Sequence, residues 1–99
     1  MAAYVILEVE RITDPVRYGE YIAAAPSVIA TYGGKYLARG GSTRFLEGDR
    51  PLARLVVLEF QTMARATEWW NSPQYQPLKA LRQSASVSTL MLVEGVHLS

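Results

Sequence analysis

Apolar and polar residues alternate with a period of two over residues 3–12, AYVILEVERI. Val5, Leu7 and Val9 fall on one face, and Tyr4, Ile6, Glu8 and Glu10 on the other. This predicts a strand whose odd face meets the core. The even face is mixed, apolar at one end and acidic at the other. The period then changes: Tyr18, Tyr21, Ile22, Ala25, Ile29 and Tyr32 form a stripe at helical spacing. Asp14 is the expected N-cap of that helix, with Pro15 at its first position, where the missing N–H costs nothing. Pro26 lies inside the stripe and cannot donate to the carbonyl of Ile22, so a kink or break is expected there. Gly33 and Gly34 end the helix.

A second strand is expected from Lys35 through KYLARGGSTRFLEG. Gly40 and Gly41 interrupt it, which suggests a bulge or a close approach to the backbone. Residues 47–51, EGDRP, read as a turn. A third strand over residues 53–60 carries Arg54, Val56, Leu58 and Phe60 on one face, and Ala53, Leu55, Val57 and Glu59 on the other. Both faces are largely apolar, so both are expected to be covered. Thr62 can cap a second helix that runs to Asn71. Ser72 and Pro73 open a further helical segment with Tyr75, Leu78 and Leu81 on one side, and Pro77 falls in its first turn or limits its start. The last strand is expected over residues 87–96, VSTLMLVEGV. The order strand, helix, strand, strand, helix, strand is the ferredoxin-like α+β arrangement, βαββαβ. It is a four-stranded antiparallel sheet with its helices on one face. Strands one and three are expected to be parallel neighbours in it.

The helix-free face of such a sheet would lie bare. Tyr4, Ile6, Leu55, Val57, Leu90 and Leu92 are the residues expected there. Burying about six such side chains at ~100 Å² each gives very roughly 15 kcal/mol of gross hydrophobic gain per chain, reduced by the costs of ordering and association. Composition points the same way. Of the 99 residues, 49% are hydrophobic, generous for one domain over residues 1–99, and a chain this short is marginal unless a partner adds burial. A homodimer through sheet faces is expected.

Charge and composition narrow the function classes. The net charge is +1 with no basic run, so the footprint of a nucleic-acid binder is missing. The sequence RLVVLEF also lacks the basic-glycine-aromatic pattern of an RNA-reading strand. There is no cysteine, which removes a disulfide framework, a thiolate metal site and a cysteine nucleophile. The opening MAAYVILEVE makes a poor signal peptide, since Glu8 and Glu10 cut its apolar run, and no segment approaches a membrane span. A cytoplasmic location is expected. The single histidine, His97, sits near the end of the chain, so neither a metal site nor a Ser-His-Asp triad is expected. The glycine pairs match no phosphate-binding fingerprint, and no cofactor is expected.

Five blocks, YVILEVERITDP, YGGKYLARGG, FLEGDRPLARLVVLEF, WWNSPQYQPLKALR and LVEGV, occur in order over nearly the whole chain. In these the chain resembles the small bacterial family known as domain of unknown function 1330. The resemblance implies a dimeric α+β barrel, in which two ferredoxin-like subunits press their sheets together. The larger group of such barrels includes cofactor-free monooxygenases, muconolactone isomerases and haem-handling enzymes, but no established reaction comes with this family. The family pattern has an aromatic in the turn before the third strand. Here that turn is GDRPLAR.

Two sets of residues carry candidate chemistry. Glu8 and Glu59 are expected on one sheet face near corresponding strand ends, with Arg39 opposite Glu59. Such a group has shifted pKa values and suits acid–base work, with a glutamate as base and Arg39 steadying developing negative charge. An ion-pair network at a dimer seam, or solvated strand ends, is the bland alternative. The second set is aromatic. Tyr18, Tyr21, Tyr32, Trp69, Trp70 and Tyr75 crowd the helical layer and suit a small, partly apolar ligand, unless they only fill the core. Adjacent tryptophans on a helix cannot face the same way, so one should be core and the other free. Arg82 with Tyr75 suits a carboxylate or phosphate; otherwise Arg82 pairs with Glu47 or Glu68, or stays in solvent. Three functions follow: a cofactor-free oxygenase or isomerase acting on an acidic carbon beside a carbonyl, a non-catalytic ligand-binding dimer, or a purely structural dimer that contacts another protein.

Overall fold

The computed structural model describes residues 1–96. Its elements are β1 (Ala3–Ile12), α1 (Pro15–Thr31), β2 (Lys35–Arg39), β3 (Arg54–Phe60), α2 (Met63–Asn71), α3 (Gln76–Ala85) and β4 (Ser86–Glu94). The four strands form one antiparallel sheet in the order β2-β3-β1-β4. This is the ferredoxin-like fold, with the second helical layer split into α2 and α3 around the turn at Ser72 and Pro73. His97 lies outside the described residues.

The period-two pattern of β1 acts as written. Val5, Leu7 and Val9 are buried toward the helices, where Val56, Leu58 and Phe60 of β3 join them. Tyr18, Tyr21, Ala25 and Ile29 of α1 close the core from above, with Trp69 of α2 and Tyr75. The slab is 17 Å in its least dimension, about the depth of one helix layer on one sheet.

Capping follows local chemistry. The carboxylate of Asp14 accepts from the Arg17 N–H at 3.1 Å, and Thr62 Oγ1 accepts from the Arg65 N–H at 3.1 Å. At the far end of α1, Gly33 has φ +80° and donates to the Ala30 carbonyl, while Gly34 donates to Ile29. This pairing of the final carbonyls needs the left-handed residue that glycine supplies. Of the expected kink or break at Pro26, the break does not occur, since α1 runs from Pro15 to Thr31 without interruption. The carbonyl of Ile22, deprived of its helical donor, accepts instead from Arg39 Nη2 at 3.1 Å.

Three further expectations are corrected. β1 and β3 are antiparallel, with Tyr4 opposite Glu59 and Glu8 opposite Leu55. A two-strand hairpin reverses the chain between β2 and β3, so β3 must also run against β1. Second, β2 stops at Arg39, and residues 40–53 form no regular structure. Gly40 takes φ +68°, donates to the Leu55 carbonyl at 2.9 Å and turns the chain away. Third, Leu90 and Leu92 pair with Leu7 and Val5, and so face the helices. Met91, opposite Ile6, and Val93, opposite Tyr4, take their places on the helix-free face.

That face carries Tyr4, Ile6, Leu55 and Val57, half-buried, beside the exposed Met91 and Val93. The loop 40–53 folds over only one end of it. Arg50 grips Glu8 with both terminal nitrogens, each 2.6 Å from a carboxylate oxygen, and lies 5.7 Å from the Phe45 ring centre.

Candidate active site between the helices and the sheet

The interior is built from tyrosines of the helical layer facing arginines of the sheet. Helical spacing brings Tyr18 and Tyr21 onto the buried side of α1, their ring centres 5.7 Å apart. The turn before α3 places Tyr75 so that its hydroxyl meets that of Tyr21 at 2.8 Å. Either oxygen can donate; whichever accepts keeps its own proton for another partner. Trp69 packs on Tyr75 with ring centres 4.3 Å apart and on Phe60 at 5.4 Å. Trp70 points out of the core, and the Lys79 ammonium lies 3.8 Å from its ring centre. Tyr32 stands at the rim: its hydroxyl donates to Gln74 Oε1 at 2.8 Å, tying the end of α1 to the turn before α3.

Arg82 is the unexpected member. It is only 3% exposed, with its guanidinium carbon 5.9 Å from the Tyr21 ring centre. Neither proposed acid reaches it, since Glu68 pairs with Arg65 at 3.0 Å and Glu47 lies exposed in the loop 40–53. The Arg82 Nε–H has no acceptor among the described residues. Arg54 and Tyr36 join the site although the sequence reading does not select them. Arg54 lies at the start of β3 on the helix-facing side, with its own Nε–H unpartnered. Its guanidinium lies against Gly40, in the space a Cβ would occupy. This is the close approach that the glycine pair suggests. The available signal was a charged residue in register with Val56, Leu58 and Phe60. Arg39 lies over the Tyr36 ring at 4.6 Å.

Of these groups, Tyr18, Tyr21, Tyr36, Arg39, Arg54 and Trp69 line a cavity of about 20 Å³, while Arg82 and Tyr75 do not border it. That is room for about one water-sized group. A second hollow, a groove of about 250 Å³, opens beside it between α2 and the sheet. Ala66, Thr67, Trp69, Trp70, Leu90 and Leu92 line the groove, and Val5, Trp69 and Leu90 border both spaces. Burial pushes the hydroxyl pKa values of Tyr18, Tyr21 and Tyr36 upward. Arg54 and Arg82 oppose the shift at Tyr18, and Arg39 and Arg54 oppose it at Tyr36, without reversing either. The tyrosines are therefore proton donors at neutral pH, not bases.

Glu8 and Glu59 do not belong to this interior. They share the helix-free face but stand at opposite ends of it, because their strands run antiparallel. Each has its own cation: Glu8 holds Arg50, and Glu59 lies 3.7 Å from Lys35. Arg50 lowers the pKa of Glu8 through its hydrogen bonds, and burial only partly offsets this. Lys35, not Arg39, pairs with Glu59; Arg39 pairs with Val56, and the register slip between Tyr36 and Ala38 turns it toward the helices. Among the described residues, no three His, Cys, Asp or Glu side chains cluster as a metal site would need, and no helix is long and apolar enough to cross a membrane.

Residues 2–96 match the family model described as a domain of unknown function, DUF1330. The chain belongs to the DUF1330 family. Curated proteins give no match to it. Solved structures place the DUF1330 chain among ferredoxin-like proteins. It is similar to a protein of unknown function from Rhodopseudomonas palustris, with 21% identity and a TM-score of 0.76, over 98% of this chain and 84% of that one. A dimeric ferredoxin-like protein of unknown function from Jannaschia sp. CCS1 superposes at TM-score 0.78 with 12% identity, over 96% of this chain and 100% of that one. SnoaB, a cofactor-independent oxygenase from Streptomyces nogalater, superposes at 0.65 with 13% identity, over 98% and 94%. At such identities the likeness to the DUF1330 chain is one of fold.

Proposed function

We propose that this chain forms a homodimer through its helix-free sheet face and binds a small, partly apolar molecule between its helices and its sheet. The groove beside Trp69 and Trp70 carries the reading. Its volume of about 250 Å³ is just under the roughly 300 Å³ at which ligand pockets usually begin, so the molecule is small. Its walls are apolar, and convergent polar groups lie behind Trp69. The dimer is supported by Tyr4, Ile6, Leu55, Val57, Met91 and Val93 on one bare face, an apolar patch of the kind that meets a partner. A dimeric neighbour of the same fold adds to that support.

A catalytic version is favoured by one observation, the arginines and tyrosines that line a small cavity. Preorganised donors of this kind stabilise negative charge developing on a substrate. The fold neighbour that is a cofactor-independent oxygenase makes oxygen chemistry the reaction class to test. Arg54, Arg39 and the lining tyrosines carry that role; Glu8 and Glu59 face away from it. Native mass spectrometry of protein purified gently from its own host tests the binding and assembly together. The expected result is a dimer retaining a small molecule. A ligand-free monomer at micromolar concentration would overturn both.

A further inference from the structure

We propose that the molecule bound between helices and sheet is an organic anion, its acidic oxygens received in the cavity by the guanidinium group of Arg54, with the buried charge of Arg82 beside the Tyr21 ring adding to the attraction, and its apolar body lying in the tryptophan groove. This rests on the binding reading above and names its ligand class. The argument is an imbalance of donors and charge. Among the described residues, three buried side-chain nitrogens lack an acceptor, Arg54 Nε, Trp69 Nε1 and Arg82 Nε, and all three are N–H donors. One hydroxyl of the Tyr21–Tyr75 pair adds a further free proton. A buried donor without an acceptor is costly, and a buried cation without an anion more so.

Among the described residues, no acid supplies the missing charge. Glu8, Glu10, Glu59 and Glu68 are engaged with Arg50, Arg11, Lys35 and Arg65. No aspartate or glutamate lines the cavity or the groove. Burial keeps Tyr18, Tyr21 and Tyr36 protonated, so they too are donors. A neutral apolar ligand would leave the guanidinium groups as they are, and a cation would be repelled by them. The cavity admits about one water-sized group, which suits a carboxylate or enolate oxygen and is too tight for a phosphate. Val5, Trp69 and Leu90 border cavity and groove alike, so the two spaces lie side by side, and Arg54 and Arg39 face the one that adjoins the groove. Gly40 holds Arg54 ready: with no Cβ, it lets the guanidinium rest against the turn at the end of β2.

The test compares sodium cinnamate with cinnamamide, which share shape but not charge, by calorimetric titration into the intact protein. Cinnamate should bind tighter by on the order of tenfold or more, and Arg54→Met should collapse that ratio toward one. Melting of the wild-type protein in sodium cinnamate against equimolar sodium chloride gives a measurement independent of any variant. A rise of several degrees with cinnamate alone is expected. Equal affinity for acid and amide, with no such rise, overturns the anion and leaves the small-molecule reading standing. Binding of neither probe, with no rise, overturns both.

Discussion

Replacing Arg82 with methionine removes a cation from the interior while keeping most of its apolar stem. Arg82 is 3% exposed, no acid lies within ion-pair distance among the described residues, and its Nε–H has no acceptor. Desolvating such a group costs several kcal/mol. The contact with the Tyr21 ring at 5.9 Å returns about 1–2 kcal/mol. Methionine fills comparable space without either term and adapts to the surrounding rings. The ligand-free variant should therefore be more stable than the parent by about 1–3 kcal/mol. For a chain of this size that is an upward shift in melting temperature of roughly 5–15 °C. Thermal unfolding followed by circular dichroism, at one protein concentration and without organic anions, measures it. A fall in melting temperature would show that the guanidinium is satisfied within the folded chain and would refute the reasoning from unpaired charge.

The other predictions concern separate parts of the molecule. Tyr21→Phe should destabilise by about 1–2 kcal/mol, because it strands the buried Tyr75 hydroxyl; urea denaturation of both single variants and the double should show strong non-additivity. The Glu8 carboxyl has a folded-state pKa below its unfolded value, so its contribution is present above the ordinary carboxylate range and is lost as pH falls through the lowered value. Hydrogen-exchange protection in residues 40–53, taken relative to the intrinsic rate at each pH, should accordingly fall in acid below about pH 4, and Arg50→Ala should give the same loss of protection at neutral pH. Gly40→Ala should cost about 1 kcal/mol for its left-handed backbone and also displace the Arg54 guanidinium, which urea denaturation would register. Ile6→Asp should leave a monomer by sedimentation equilibrium where the parent is a dimer; an unchanged sedimentation profile would count against the sheet-to-sheet interface.

The fold was legible because each strand and helix states its period. Val5, Leu7 and Val9 mark the buried face of β1 without reference to any neighbour, and Asp14 with Pro15 marks the start of α1. What depends on how elements meet was less legible. The relative position of Glu8 and Glu59 turns on strand direction, and that of Arg39 on a one-residue slip in pairing between Tyr36 and Ala38. Leu90 and Leu92 illustrate the same sensitivity, since in an apolar strand alternation alone does not say which set faces the helices. Of the candidate site, the tyrosines of α1 follow from helical spacing. Arg54 was visible only as a charge on an apolar face, and the burial of Arg82 follows from packing between helices that no local pattern encodes.

The proline in the middle of α1 joins two positions thirteen residues apart in sequence. Because Pro26 offers nothing to the Ile22 oxygen, the short border strand finds a fastening there through Arg39. Restoring an amide at position 26 would mend the helix ladder and at the same time unhook the outer strand from it. Inheritance should treat the two sites as one: relatives that lose this imino acid are released from keeping a long donor at position 39.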